Sequence, residues 1–284
     1  MRKVKIVTDS TVDLDLETLK KHGVGMVPLS IIIDGESFLD KIEMEPHEFL
    51  ERMSKAKDLP GTSQPSVGEF LEMYHRLGND GSEIVSVHMS GEMSGTVQAA
   101  KVAASMTDVK VTVIDSMFIS KALSFQVIEA AIMADEGKGA IEIVDKLSNI
   151  QAKTRLLIAI DSLENLVKGG RIGKAGAFLG SILKIKPIAS LENGVLQPVA
   201  KVRNQSQIIK ELLTHILKDT KDKEIKGAAI VHAGNPELSG KLKSVIKENL
   251  GARLKGITIE TTTPAISTHA GIGSIAIMYY WDEK

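Results

Sequence analysis

The stretch Val4-Lys5-Ile6-Val7-Thr8-Asp9-Ser10-Thr11-Val12-Asp13-Leu14-Asp15-Leu16-Glu17 decides the fold class. Val4 to Val7 is a short apolar run with the composition of a strand. It ends in Thr8-Asp9-Ser10-Thr11, a polar loop of the kind that follows a parallel strand. Asp13 to Lys21 then reads as a helix, its acidic residues suited to the first turn. Strand, polar loop and helix in that order begin a βαβ unit.

The pattern repeats outward from there. Val24 to Ile33 is a second extended segment, broken by Pro28 and closed by Asp34-Gly35. Pro46 to Met53 is helical, Leu59 to Ser66 is a loop, and Val67 to Leu77 is a helix. Ile84 to Val87 is a strand and Gly95 to Met106 an Ala-rich helix. Val111 to Ile114 is a strand capped by Asp115-Ser116, and Ser120 to Gly137 is a long helix. Strands alternating with helices of this length predict a parallel sheet.

Near residue 150 the texture changes. Arg155 to Ile160 is a strand that leads into Lys168-Gly169-Gly170-Arg171-Ile172-Gly173. Lys186 to Leu191 and Val195 to Val202 flank Glu192-Asn193-Gly194, a strong hairpin signal. Helices at Gln205 to Leu217 and Pro236 to Leu250 interleave with strands at Gly227 to His232, Gly256 to Glu260 and Ser274 to Tyr280. The expected fold class is α/β with two domains. A parallel-sheet α/β domain covers 1–150, and an α+β domain with a mixed or antiparallel sheet covers 151–284.

The 284 residues fit about two domains at roughly 150 residues each. With 43% hydrophobic and 25% charged residues the composition is that of a globular chain, which excludes disorder. Lys and Arg number 35 against 36 Asp and Glu, so nothing in the overall charge favours nucleic acid as a partner. The absence of cysteine excludes disulfides, thiolate metal sites and a Cys nucleophile. Aromatics are only 4% while Met reaches 11, so a large cavity would have flexible aliphatic walls. The apolar run near Met1 falls short of the about 7–15 residues of a signal peptide. No run approaches the roughly 18 of a spanning helix. The expected location is the cytoplasm.

In α/β sheets ligands sit beyond the carboxyl ends of the strands. Three polar loops converge there: Thr8 to Thr11, Gly61-Thr62-Ser63-Gln64-Pro65-Ser66, and Met89-Ser90-Gly91-Glu92-Met93-Ser94-Gly95-Thr96. The last two put hydroxyls and N–H groups at helix starts, where they suit an anion or simply cap the helix. Neither is a P-loop or a nucleophile elbow. The seven histidines show no metal-ligand spacing. His269 stands out in Thr268-His269-Ala270-Gly271-Ile272-Gly273, where small neighbours let a ligand approach, although a structural role reads equally well. Arg171 and Arg203 are anion clamps or solvated turn residues.

Together these stretches resemble the DegV family of bacterial fatty-acid-binding proteins, essentially end to end. The resemblance rests on Asp9-Ser10-Thr11 with Asp13-Leu14, Thr62-Ser63-Gln64-Pro65-Ser66, Ser90-Gly91 with Ser94-Gly95-Thr96, Asp115-Ser116, Leu163-Glu164-Asn165-Leu166 with Lys168-Gly169-Gly170-Arg171-Ile172, Ile185-Lys186-Pro187-Ile188, and Gly194 with Lys201-Val202-Arg203, in order and spacing. One departure is Ile272, which stands where the family has proline in His-x-Gly-Pro-Gly.

The resemblance implies a lipid-binding protein with no cofactor rather than a self-sufficient enzyme. It implies one long-chain fatty acid, such as hexadecanoate, held between the two domains. The acid is presented to a separate fatty acid kinase subunit that makes an acyl phosphate for phospholipid synthesis. Transient contact with a membrane surface goes with that role. By motif, Thr62 and Ser94 would bind the carboxylate, with His269 nearby and Ser63 contributing. Arg171 and Arg203 would face the kinase or the acyl phosphate. Candidate residues for the apolar sleeve are Ile31, Ile33, Phe118, Phe125, Ile158, Ile160, Phe178, Ile182 and Leu183. The alternative is a hydrolase or phosphotransferase in the same cleft, with Ser94 as nucleophile, His269 as base, and Asp9 or Asp115 behind it.

Overall fold

A computed structural model of the chain describes residues 3–178 and 185–282. The first half runs β1 (Val4–Asp9), α1 (Leu16–Lys21), β2 (Val24–Val27), β3 (Ser30–Ile33), β4 (Glu36–Leu39) and α2 (Pro46–Lys55). It continues with β5 (Gly61–Ser63), α3 (Val67–Gly78), β6 (Glu83–His88), α4 (Thr96–Ser105), β7 (Val111–Asp115), α5 (Ser120–Asp135) and α6 (Ala140–Ala152). The second half begins with β8 (Thr154–Ala159), α7 (Glu164–Lys168) and a 3₁₀ turn at Gly173–Phe178. Then come β9 (Lys186–Glu192), β10 (Val195–Val202), α8 (Gln205–Asp219), β11 (Glu224–His232) and α9 (Pro236–Leu250). The last elements are β12 (Thr258–Thr261), α10 (Pro264–Ala270) and β13 (Ile275–Asp282).

The architecture is α/β, with a parallel sheet in the first half and a mixed sheet in the second. Strands β2-β1-β6-β7 form the parallel sheet, with Ile6 opposite Val24 and Val85. A parallel sheet must be covered on both faces. One face, through Ile6, Val85 and Val87, packs on Leu123 and Val127 of α5 and Ile143 and Leu147 of α6. The other, through Val7 and Ile84, packs on Phe70 and Tyr74 of α3 and Ala99 and Ala100 of α4.

Six strands in the order β10-β9-β8-β13-β11-β12 make the mixed sheet. Alternation along β8, β11 and β13 divides its side chains. Leu157, Ile230 and Ile277 pack under α8 and α9 on Leu212, Ile216, Leu242 and Ile246. Leu156, Val231, Ala276 and Met278 turn the other way, toward Phe118 and Ala122 of the first half. The apolar face of the second sheet therefore fronts the first half, and the cavity described below lies between them.

Val24 to Ile33 is not one strand. Pro28 cannot donate to a ladder, and the chain turns there. β2 joins the parallel sheet while β3 enters a separate antiparallel sheet of order β4-β3-β5. The expected loop at 59–66 contains β5, whose Thr62 pairs with Ile31. The hairpin at Asn193-Gly194 forms as expected, with φ of +49° and +77°. Ile182 and Leu183 lie outside the described residues, as does the side chain of Phe178.

Candidate functional site

A cavity of about 410 Å³ lies between the halves. Each of the three polar loops sends residues into it: Thr11 after β1, Met89, Met93 and Ser94 after β6, and Thr62, Ser63 and Gln64 from β5 onward. The second half adds Leu156 and Ile158 from β8, Leu166 of α7, Arg171, and Leu191 and Leu196 of the β9–β10 hairpin. Helix α10 closes it with Ala265, Ile266, His269 and Ala270.

The polar lining is knit into one patch. Thr62 Oγ1 is 2.8 Å from His269 Nε2. A β-carbon on Gly169 would collide with His269 Nδ1 and stand 2.9 Å from the Asn165 carbonyl, so only glycine lets the imidazole sit this close. Arg171 Nη1 donates to the carbonyl of Gly169 (2.5 Å), and its Nε donates to the carbonyl of Met93 (3.0 Å) beside Ser94. A β-carbon on Gly95 would run into the Gln64 amide, which brings Gln64 next to Ser94 from the other side. Ser94 Oγ is 2.8 Å from Thr96 Oγ1 and accepts the Thr96 N–H.

His269 is neutral at pH 7. Burial, and then the nearby Arg171 charge, push its pKa down to about 4. Its Nδ1 is buried and has no hydrogen-bond partner among the described residues. A proton on Nδ1 would leave an orphaned donor at a cost of about 1–3 kcal/mol, so the proton belongs on Nε2. Nε2–H then donates to Thr62 Oγ1, which leaves the Thr62 hydroxyl hydrogen free to bond an acceptor in the cavity. Arg171 supplies positive charge at the same patch.

Thr62, Ser63, Ser94, Arg171 and His269 thus share one cavity wall. Arg203 is not among them. It is exposed just after β10, and its backbone N–H donates to Gln207 Oε1 (2.8 Å). The start of α3 is occupied by its own capping box, Ser66 with Glu69, so Thr62 reaches the cavity from strand β5 and not from a helix end.

Of the sleeve candidates, Ile158 lines the cavity. Ile31 and Ile33 pack beneath it with Phe49, Phe118 and Ile160 sit in the core behind it, and Phe125 packs at a tilt against Tyr280, ring centres 4.9 Å apart. Further wall comes from Leu156, Leu191 and Leu196 on strands β8, β9 and β10, and from Met93 and Ile119 in loops.

Among the described residues the groups a Ser/His catalyst needs are not assembled. Ser94 bonds Thr96, and His269 bonds Thr62 with no carboxylate behind Nδ1. Asp115 accepts the N–H groups of Gly91 and Met117. Asp9 is buried with His88 (3.1 Å), which in turn meets Ser86 (2.6 Å) and, beyond it, Tyr74 (2.9 Å). Burial works to raise the Asp9 pKa, but the bonds and charge of His88 with the Thr11 and Met89 donors hold it below the ordinary value. Asp9 Oδ1 takes the Thr11 hydroxyl (2.6 Å), so that hydroxyl is engaged away from the cavity. Among the described residues no group of three or more His, Asp or Glu could hold a metal ion, and no helix is long and apolar enough to cross a membrane.

The family model described as "Uncharacterised protein, DegV family" matches residues 3–282. A DegV domain-containing protein of Listeria monocytogenes is 41% identical over 283 residues, 99% of this chain and 100% of that protein. The solved structure of a fatty-acid-binding DegV family protein from Thermus thermophilus matches with a TM-score of 0.93 at 28% identity, covering 99% of this chain and 100% of that one. DegV of Bacillus subtilis, a fatty acid binding protein, matches with a TM-score of 0.89 at 31% identity, over 99% of this chain and 100% of that one.

Proposed function

This chain belongs to the DegV family, and from that premise we propose that it holds one long-chain fatty acid, such as hexadecanoate, in the cavity between its halves. The observation that carries the reading is the cavity itself: about 410 Å³, walled by aliphatic side chains and closed by one patch of hydroxyl, imidazole and guanidinium groups. The energetics divide accordingly. At about 0.8 kcal/mol per methylene, a sixteen-carbon tail gains on the order of 11 kcal/mol, so the tail sets affinity. Each hydrogen bond to the charged head adds roughly 1.5–3 kcal/mol and sets orientation.

In this reading the Thr62 and Ser94 hydroxyls donate to the carboxylate. His269 orients Thr62, Ser63 adds a weaker contact at the rim, and Arg171 compensates the charge. The protein does not turn over the acid alone. It is the acyl-carrying component of a two-protein kinase in the cytoplasm, presenting the carboxyl group to a separate catalytic subunit for acyl phosphate formation. Arg203 lies on the face that meets the kinase, and contact with a membrane is brief. The working units are residues 1–150, which carry the hydroxyl loops, and 151–284, which complete the sleeve.

The test has two parts. Delipidated protein is titrated with hexadecanoate, and saturation at one acid per chain is expected. The loaded protein is then mixed with ATP and a fatty acid kinase catalytic subunit. Acyl phosphate should form only when both proteins are present. Failure to bind the acid overturns the whole reading, whereas binding without acyl phosphate formation removes only the kinase role.

A further inference from the structure

We propose that Asp13 and Asp40 are positioning residues whose carboxyl groups grip the first turn of α10 and so hold His269 against Thr62. The inference rests on the fatty-acid reading above, since it assigns these residues a part in building that site.

Helix α10 has seven residues, and a helix this short is not stable by itself in water. Its position must come from what holds it. At its end, Asn165 Nδ2 donates to the Thr268 carbonyl (2.8 Å). At its start, the holding groups belong to the other half of the chain. Asp13 Oδ1 accepts the N–H of Thr263, the helix N-cap (3.0 Å), and Oδ2 accepts the Thr262 hydroxyl (2.8 Å) and the Ser120 hydroxyl from the start of α5. Asp40 Oδ1 accepts the Ala265 N–H (3.3 Å), and Oδ2 accepts the Ser10 hydroxyl (2.6 Å). Ser10 Oγ in turn accepts the N–H of Leu29 (3.0 Å).

Both carboxyl groups are buried, Asp13 at 4% and Asp40 at 0% exposure. Burying a carboxyl group is costly unless donors surround it. Burial raises the pKa of both, that of Asp40 to about 7. Neither residue is among those that line the cavity. Their donors are instead the α10 entry and the residues that buttress it. The buried Lys41 ammonium, which donates to the Val12 carbonyl, offsets part of the charge of the two acids but makes no hydrogen bond to α10. Packing and charge balance alone would not need both acids at one helix start. Hydrogen bonds with fixed directions would, because the imidazole five residues on has to meet a hydroxyl on strand β5.

The test follows His269 by NMR in lipid-free protein, alongside hexadecanoate affinity. In the wild type His269, with its pKa pushed down to about 4 by burial, should stay neutral down to about that pH. Asp13→Ala and Asp40→Ala should move the midpoint up toward the ordinary histidine value and weaken hexadecanoate binding by about tenfold, the equivalent of one lost contact. Thr262→Val removes a single bond to Asp13 with little change in shape and carries the test if Asp13→Ala does not fold. Asp40→Asn retains an acceptor for Ala265 and should restore both readouts. Asp15→Asn deletes a neighbouring charge that does not touch α10 and should change neither. Folded Thr262→Val and Asp40→Ala proteins with wild-type His269 titration and affinity would overturn the proposal. The NMR arm needs no lipid, so wild-type protein that fails to bind hexadecanoate while His269 still shifts in the variants refutes the fatty-acid reading and leaves the positioning of α10 standing.

Discussion

Thr62 Oγ1 and His269 Nε2 lie 2.8 Å apart although 207 positions separate them in the chain. One stands on a three-residue strand of the first half and the other on a seven-residue helix of the second. Neither element has much intrinsic stability, so their meeting depends on the packing of the two halves. A polar patch built this way is coupled to the same packing that forms the aliphatic cavity wall behind it.

Removing the hydroxyls should weaken binding without unfolding the protein. Thr62→Val and Ser94→Ala are each expected to raise the Kd for hexadecanoate by roughly 10- to 150-fold, as loss of a hydrogen bond to a charged group implies. Ser63, exposed at the rim, should matter less, with Ser63→Ala changing Kd by under about threefold. Calorimetric titration of the three delipidated variants checks the order, and an unchanged Kd in Thr62→Val would remove Thr62 from the site.

The sleeve can be tested without touching the polar patch. Ile158 lines the wall on β8, and Ile158→Trp would fill space otherwise taken by about four methylenes. That is a loss of ~3 kcal/mol, or roughly a hundredfold in hexadecanoate affinity, with shorter acids less affected. Equal losses for short and long acids, measured by competition, would mean that the tail does not lie along Ile158.

His269 carries a pH prediction. Its folded pKa, about 4, lies below the ordinary value of 6.5. Between these values the unfolded chain binds more protons than the folded one, so stability is fully present above pH 6.5 and is lost as pH falls toward 4. From pH 7 to pH 5 the wild type should lose about 2 kcal/mol through this group, while His269→Gln should not. Urea unfolding of both proteins at the two pH values gives the difference directly; parallel pH dependence in the pair would show that the imidazole is not held neutral.

Gly169 has no room for a side chain. Gly169→Ala forces the new methyl into His269 Nδ1 and the Asn165 carbonyl, displacing the imidazole from Thr62. Hexadecanoate affinity should fall about tenfold or more, with a lowered Tm. Gly240→Ala, on α9 where a β-carbon meets nothing within 4 Å, is the control and should leave affinity alone and raise Tm slightly. Equal behaviour of the two variants would contradict the close approach.

Much of this arrangement was legible in the residues alone. The alternation of Val4–Val7, Ile84–Val87 and Val111–Ile114 with helices gives the parallel sheet, and Asn193-Gly194 gives the hairpin, because each signal is local. The elements that build the polar patch are the ones that local signals miss. Gly61-Thr62-Ser63 has no strand composition and becomes β5 only by pairing with Ile31. Pro264 to Ala270 has no apolar stripe and is helical because Asp13, Asp40 and Asn165 hold it. His269 was visible from its small neighbours, but its bond to Thr62 was not, since nothing in a sequence reports a contact over 207 positions. Asp13 reads as an acid of a helical first turn, yet α1 begins at Leu16 with Asp15 as its N-cap, and the burial of Asp13 and Asp40 leaves no mark on residue type. Arg203, expected toward the kinase-facing side or the acyl phosphate, stands exposed just after β10 and away from the cavity lining.

The central claim is that a single long acyl chain occupies the space between the halves. Native mass spectrometry of the freshly purified protein measures this directly, since it reports ligand mass and stoichiometry together. The expected spectrum shows one long-chain fatty acid per chain, lost on delipidation and regained on incubation with hexadecanoate. A spectrum of the bare polypeptide alone, unchanged after that incubation, would contradict the account.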